Sequence, residues 1–263
     1  IRTGGRLDLV FKCMRKYSFP LVIIIFIVTG CASTRNKGEV IDAQYYFDRG
    51  MEMMNKKDYM KAITDFQTVV ESYSASAIVD HAQFMLAEAH YMNEEYLVAA
   101  YEYERVYTDY PSSLWAPEAQ YKKALCYYME SPVSMLDQEN TLLAIDEFNR
   151  FIDNYPRNSL VSDAQKNIEE LTAKLARKEY MNAEQYKKMK HYEAALLYYR
   201  DVIDKYPRTI WADYAIYGIG EVLFNQKEYE KAKEMFMRIV NDDVDMELKN
   251  KASRKLQEVE NHE

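Results

Sequence analysis

The residue whose type and setting predict covalent chemistry is Cys31. Arg15 and Lys16 precede a short apolar run at residues 19–28, and Gly30 and Cys31 follow that run. A run this short does not reach the roughly 20 residues that a membrane-spanning helix needs, and it is typical of the hydrophobic region of a signal peptide. This order of features predicts that the Cys31 thiol carries diacylglycerol, with an acyl chain such as palmitate on the new N-terminus. The lipid would then hold the protein to a membrane surface.

The segments around Cys31 divide into processing and tether regions. The ending of the apolar run resembles a bacterial lipobox, although Val28 stands where Leu is commoner, and a plain secretory signal with a chance Cys remains the alternative. We expect translation to start at Met14 after upstream residues 1–13, removal of residues 1–30, and a lipidated tether at 31–41. No acidic cluster follows Cys31, which favours the periplasmic face over the outer surface.

The other side chains that could do chemistry form no recognisable catalytic pattern. Cys126 lies in an apolar helical stretch, which favours a small buried side chain over a nucleophile. The sequence has no Gly-rich phosphate loop, Gly-x-Ser-x-Gly elbow or Cys-x-x-Cys. We therefore predict no enzymatic activity, no metal and no cofactor, and we interpret four histidines as structural or solvated: His81, His90, His191 and His262.

The charge balance excludes one class of partner. The whole chain has 34 basic and 42 acidic residues, and removal of residues 1–30 leaves a net charge of −12. Phosphate-backbone binding needs a basic surface, so we expect no nucleic-acid partner. A local basic cluster is predicted on one helix, and it is either a solvated face or a contact for an acidic partner domain: Arg177, Lys178, Lys187, Lys188 and Lys190.

The element that recurs along the chain is a sixteen-residue phrase. Residues 96–111 read YLVAAYEYERVYTDYP and residues 192–207 read YEAALLYYRDVIDKYP, with weaker copies from Tyr59, Thr141 and Tyr229. In each copy the offsets between a small Ala, an aromatic and an apolar residue place all three on one helix face. Proline then ends the helix, because it lacks the N–H and disfavours helical geometry in the residue before it. Each phrase is thus predicted to be the second helix of a pair.

A small residue stands twelve positions before the key Ala in four of the copies: Gly50, Ala87, Ala183 and Gly220. Small residues there let paired helices approach closely, and the spacing resembles the 34-residue tetratricopeptide repeat (TPR). The predicted fold is all-α, a right-handed superhelical array of about five TPR helix pairs over residues 42–263 with a C-terminal capping helix. We divide it into N-terminal repeats at 42–157, and a long helix with C-terminal repeats at 158–263. A loop is expected at 131–140.

Aromatic and Met side chains suggest a peptide-binding groove. In TPR arrays the first helices line a concave groove, and the repeat pattern places there Phe47, Met51, Met54, Phe84, Glu88, Tyr91, Tyr121, Leu125 and Tyr128. Such side chains bury a large area with adaptable packing, which suits an extended or unfolded peptide. The alternative is that these residues form the core between repeats.

The layout resembles the BamD family, lipoproteins of the β-barrel assembly (Bam) machinery of Gram-negative outer membranes. The resemblance covers residues 42–245, and its most telling parts are 148–164 (FNRFIDNYPRNSLVSDA) and 171–209. That family has a long helix with Leu-Ala-Lys/Arg-x-Glu-Tyr between the third and fourth Tyr-Pro units, and here these are residues 175–180. The last repeat departs from the pattern, with Asp243-Val244 in place of Tyr-Pro.

The resemblance implies a periplasmic scaffold that is lipid-anchored to the inner leaflet of the outer membrane. Its C-terminal repeats would dock a periplasmic domain of the barrel-forming partner BamA. Its N-terminal groove would receive the C-terminal signal of an unfolded outer-membrane protein for folding and insertion. Two alternatives stay open: a TPR envelope lipoprotein that is an adaptor for peptidoglycan or division machinery, and a ligand-capturing lipoprotein of the outer surface.

Overall fold

The computed structural model describes residues 41–262, and the regular structure in this range is entirely α-helical. Its helices are α1 (Ala43–Asn55), α2 (Tyr59–Ser72), α3 (Val79–Met92), α4 (Tyr96–Asp109), α5 (Ala116–Met129), α6 (Glu139–Asn154), α7 (Val161–Lys188), α8 (Tyr192–Lys205), α9 (Ile210–Asn225), α10 (Tyr229–Asn241) and α11 (Met246–Glu260). Each helix packs against the next along the chain. The predicted all-α array of five helix pairs with an added C-terminal helix is confirmed.

The second helix of each pair coincides with the recurrent phrase. Four of these helices begin at the Tyr that opens the phrase, and the Tyr-Pro units lie directly after the ends of α4, α6 and α8. Proline cannot donate a backbone hydrogen bond, and it disfavours helical geometry in the preceding residue. Tyr110, Tyr155 and Tyr206 are accordingly the C-cap residues of these three helices.

The turn inside a pair has the same backbone in four of the five pairs. Lys57, Glu94, Lys190 and Lys227 adopt left-handed φ angles of 59°, 63°, 60° and 67°. The next residue then donates its N–H back across the end of the first helix, as in Asp58 N to Met53 O at 2.9 Å. This is the hydrogen bond of a Schellman-type helix end. In the third pair, residues 130–138 replace the turn, so the loop predicted at 131–140 is present but ends two residues earlier, because α6 begins at Glu139.

Small residues bring the two helices of a pair together. Gly50 is buried, and a Cβ atom there would lie 2.7 Å from Phe66 Cε1. At Gly220 the corresponding distance, to Phe236 Cε1, is 2.6 Å. Ala87 occupies this position in the second pair and is fully buried. The close approach that the twelve-residue spacing predicted is therefore present.

The long helix α7 joins two parts of the core. Ala164 and Leu171 in its first half pack with the third pair, whereas Ala176 and Ala183 in its second half pack with the fourth. At the C-terminal end, α11 buries Leu248 against the same last cluster and keeps a largely polar outer side. Within residues 41–262 no helix is both long and apolar enough to cross a membrane.

Candidate functional site

Cys31, with the predicted lipid, lies outside the described residues, so its modification stays a prediction. The groove residues predicted from the sequence all lie on α1, α3 and α5, the first helices of the first three pairs. We call these nine positions the first-helix face. Its members differ in exposure, and this difference decides which of them a ligand could touch.

Three members of the first-helix face are buried. Phe47 and Tyr121 are 8% exposed and Phe84 is 4% exposed, and each belongs to an apolar cluster with the second helices. These three residues match the alternative that the sequence left open, in which they form the core between repeats. The partly exposed members are Met51, Met54, Glu88, Tyr91, Leu125 and Tyr128.

An aromatic stack fixes the buried side of this face. The His81 ring lies 4.7 Å from Phe47 and 4.4 Å from Trp115, and Trp115 lies 4.9 Å from Phe84, measured between ring centres. Burial lowers the pKa of His81, so the ring is neutral at pH 7 and packs as an aromatic. The stack connects α1 and α3 to Trp115, the N-cap residue of α5, which gives the exposed members a rigid support.

Tyr91 is part of a charged network between α3, α4 and α5. Lys122 Nζ lies 5.3 Å from the centre of the Tyr91 ring and 2.9 Å from Glu88 Oε1. Glu88 also accepts a hydrogen bond from the fully buried Tyr103 hydroxyl. Burial raises the pKa of Tyr91, so its phenol stays neutral. The network holds the Tyr91 ring against a cation, and part of the ring surface stays exposed.

Tyr128 is held by a hydrogen bond to α7. Its hydroxyl donates a 2.8 Å hydrogen bond to Glu170 Oε1 on α7. Burial and this carboxylate raise the pKa of Tyr128 to about 12. A neutral, oriented phenol presents an apolar ring with one fixed polar atom, which suits side-chain contacts with a peptide.

A second copy of the Tyr–Glu network lies in the fourth pair, and the sequence analysis missed it. Glu184 accepts hydrogen bonds from the Tyr199 hydroxyl and from Lys187 Nζ, the latter at 2.7 Å, and Lys187 also contacts Glu221 Oε2 at 2.7 Å. Glu184 and Tyr199 stand 96 positions after Glu88 and Tyr103. That constant offset in the repeat alignment is the signal that could have found the network.

Other reactive groups have structural partners. Cys126 is fully buried, and burial raises the pKa of its thiol to about 12, so it is a core residue. His90 Nδ1 lies 2.6 Å from Glu95 Oε2, and this contact connects α3 to the start of α4. In the part of the chain that the structure describes, no group of three or more His, Cys, Asp or Glu could hold a metal ion.

Comparison with known proteins identifies relatives along most of the chain. The family model described as "YfiO: Outer membrane lipoprotein" matches residues 40–233. Over 221 residues, the chain is 26% identical to the protein named Outer membrane protein assembly factor BamD of Rickettsia prowazekii (strain Madrid E). That alignment covers 84% of this chain and 88% of the relative.

Solved structures with some likeness include TPR proteins. The TPR2AB domain of yeast Sti1 in its pHSP90 complex is 13% identical, with a TM-score of 0.38 over 82% of this chain and 96% of that chain. The TPR domain of P58(IPK) is also 13% identical, with a TM-score of 0.41 over 84% of this chain and 66% of that chain. Because TM-scores below 0.5 do not establish a shared fold, the fold assignment rests on the helix pairs themselves.

Proposed function

Because the chain belongs to the YfiO family of outer membrane lipoproteins, we propose that it is an outer-membrane-associated assembly factor for outer membrane proteins. The observation that carries this proposal is the alignment with the assembly factor BamD, which runs through 84% of the chain and 88% of the relative. The family match also confirms the resemblance noted from the sequence. A relative of this name disfavours the division-adaptor and ligand-capture alternatives.

The protein is a scaffold without catalysis of its own, and Cys31 carries its lipid on the periplasmic face of the membrane. Cys126 is buried in the core, and His90 and Lys187 lie in contacts with glutamates. A BamA-like β-barrel protein is the partner that the C-terminal repeats bind through its periplasmic domains.

The first-helix face receives unfolded outer-membrane proteins, and its partly exposed members make the contacts. Met51, Tyr91, Leu125 and Tyr128 combine adaptable and rigid apolar surface. The C-terminal segment of a substrate, which ends in an aromatic residue, would lie against them. Phe47, Phe84 and Tyr121 support this face from the core.

The proposal is tested by co-purification of the tagged lipoprotein from native membranes in a mild detergent, with partners identified by mass. We expect a β-barrel protein with periplasmic domains in near-equal amount. Recovery of peptidoglycan-linked or division proteins in its place would overturn the assembly function and leave the fold unaffected. In the same strain, Cys31→Ser should move the protein from the membrane to the periplasmic fraction, whereas continued retention would contradict the lipid anchor.

Peptide binding by the first-helix face needs a separate test, with the affinity of a labelled peptide ending in Phe as the readout. Tyr91→Ser with Tyr128→Ser should weaken binding about tenfold or more, because both rings are partly exposed and oriented. Tyr101→Ser on α4 is the matched control, since Tyr101 is 60% exposed and outside the face. Equal affinity of the double variant and the control would show that the first-helix face does not bind the peptide. Phe84→Ala is unsuitable, because it creates a cavity in the core.

A further inference from the structure

A cavity of about 580 Å³ lies beside the loop of the third pair, and its lining residue Glu170 accepts a hydrogen bond from Tyr128 of the first-helix face. We call residues 131–138 the insertion loop. The loop contributes Val133 and Met135 to the cavity wall, α7 contributes Lys174 and Arg177, and Trp211 from the first turn of α9 completes it. The cavity thus joins the third, fourth and fifth helix pairs, and the proposed function assigns no ligand to it.

The insertion loop is held in one conformation. Buried Gln138 donates from Nε2 to the carbonyl oxygens of Val133, Leu136 and Asp137 at 3.0 to 3.2 Å. The loop is also tied to α7, because Lys178 Nζ donates to Leu136 O at 2.8 Å. A wall that is fixed before a ligand arrives loses little conformational entropy on binding. The cavity therefore has the rigidity of a binding site.

Two cations in this cavity form no direct ion pair with a carboxylate of residues 41–262. Lys174 Nζ donates to Ser131 Oγ at 2.8 Å, and the Arg177 guanidinium lies 5.7 Å from the centre of the Trp211 ring. The ion pairs formed within residues 41–262 include neither of them. Glu170, which also lines the cavity, is engaged by Tyr128. Burial lowers the pKa of Lys174, and the negative charge of nearby Glu170 opposes this shift without cancelling it.

The apolar surface extends from the cavity over the loop. Val133, Met135 and Leu136 are 69%, 64% and 58% exposed, and Leu136 lies beyond the cavity lining. Large apolar side chains next to each other on a fixed loop are typical of a surface that a partner covers. Because the apolar surface extends beyond the two cations, a single side chain of a partner cannot contact both the apolar surface and the cations. Recognition needs a carboxylate and an apolar group on neighbouring residues.

We propose that the insertion loop, α7 and Trp211 form a docking site for a partner protein segment in which an acidic side chain neighbours an apolar one. The carboxylate binds between Lys174 and Arg177, and the apolar neighbour packs on Val133, Met135 and Trp211. The chain as a whole has a net charge of −8, so long-range attraction does not bring acidic partners to it. Specificity comes from this local charge complementarity.

The test uses two acetylated and amidated ten-residue peptides with a central Leu-Glu-Leu or Leu-Gln-Leu, titrated by calorimetry into the intact lipoprotein in a neutral detergent at low salt. We expect the Glu peptide to bind at least tenfold more tightly than the Gln peptide. Lys174→Gln with Arg177→Gln should abolish this preference. Lys188→Gln with Lys190→Gln is the control, since it removes two exposed charges from the end of the same helix region and should leave the preference intact.

Three outcomes would overturn the proposal. The two peptides could bind equally, the control variant could lose the preference as well, or a Gln peptide with a free C-terminal carboxylate could bind as tightly as the Glu peptide. The last result would assign the site to chain termini. Arg177→Gln alone keeps the test decisive if the double variant unfolds, because Arg177 is exposed and its change should reduce the preference without affecting the fold.

Discussion

At the scale of single residues, glycine occurs inside two helices because an aromatic ring occupies the place of a Cβ atom. Gly50 faces Phe66 and Gly220 faces Phe236, and both rings are fully buried. In an exposed helix, replacement of Gly by Ala stabilises the protein by about 1 kcal/mol. At Gly50 and Gly220 the same replacement should destabilise the protein, since the ring can move only by displacing the packed core around it.

We therefore expect Gly50→Ala and Gly220→Ala each to lower the free energy of unfolding by about 1–3 kcal/mol, the usual cost of overpacking a core. Urea unfolding followed by circular dichroism measures the change. Phe66→Leu should partly rescue Gly50→Ala, because it removes the ring atoms that the new methyl group meets. An increase in stability for either single variant would contradict the close approach.

The Tyr199–Glu184 hydrogen bond gives a prediction about pH. Burial alone would raise the pKa of Glu184, but hydrogen bonds from Lys187 and Tyr199 outweigh it and hold the pKa below the ordinary value of 4.5. A lowered carboxylate pKa stabilises the fold above the ordinary value, and this stabilisation is lost as the pH falls through the lower, folded-state value. The contribution of the bond should therefore be largest near neutral pH.

We expect Tyr199→Phe to cost about 1–3 kcal/mol at pH 7, as for a hydrogen bond to a charged group, and clearly less at pH 3. Unfolding in urea at both pH values measures the difference. Tyr198→Phe is the control on the same helix, because Tyr198 stacks on Tyr186 with 5.1 Å between ring centres. A cost of Tyr199→Phe that does not change with pH would show that the hydroxyl matters only through packing.

At the scale of elements, the insertion loop shows how one side chain can order a segment without regular structure. Gln138 is buried and bonds three loop carbonyls, and its Oε1 accepts from Thr141 Oγ1 at 2.8 Å. Gln138→Ala would remove the donor of Asp137 O, whereas Leu136 O would keep Lys178 Nζ and Val133 O would keep the Leu136 N–H. An unsatisfied buried polar group costs about 1–3 kcal/mol, which the loop can avoid by opening to water.

Gln138→Ala should consequently speed amide hydrogen exchange in residues 131–138 and leave exchange in α1 and α2 unchanged. Exchange detected by mass spectrometry tests this, with the exposed Met135→Gln as the control. The variant should also weaken binding of the acidic segment at the proposed docking site, because the wall that carries Val133 would lose its fixed position. Unchanged loop exchange would mean that the contacts to α7 suffice to order the segment.

At the scale of the whole molecule, residues 42–262 form an array in which each helix packs mainly on its neighbours in sequence. Stability in such an array is close to a sum of local contributions. Leu248 on α11 is 1% exposed and belongs to the last apolar cluster, with residues of α7 to α10. A substitution of Leu248 should therefore loosen the packing of that cluster and leave the other clusters unchanged.

We expect Leu248→Ala to destabilise the C-terminal half by about 2–5 kcal/mol, as for other buried Leu-to-Ala changes. Hydrogen exchange should increase in α8 to α11, and α1 to α4 should keep their protection. Met246→Ala is the control, since Met246 is 66% exposed and lies only two residues away. Uniform loss of protection across all helices would show that the array unfolds as one cooperative unit.

The sequence by itself determined the helix pairs, their boundaries and the insertion. These features depend on local signals, such as the Tyr that opens each second helix, the Pro after it and the small residue twelve positions earlier. Such signals act over one or two helical turns, so they are readable without tertiary structure. The long helix α7, predicted to open the region that begins at residue 158, is Val161–Lys188 for the same reason.

Tertiary structure alone decided which side chains on the first helices are accessible. Phe84 and Tyr91 lie on the same helix face, but the rings of Tyr103 and Trp115 cover Phe84 while Tyr91 keeps open surface. Likewise, residues 131–135, Lys174, Arg177 and Trp211 meet in one cavity although they are up to 80 positions apart. Burial and unpaired charge depend on what neighbouring helices supply, and helix periodicity carries no information about that.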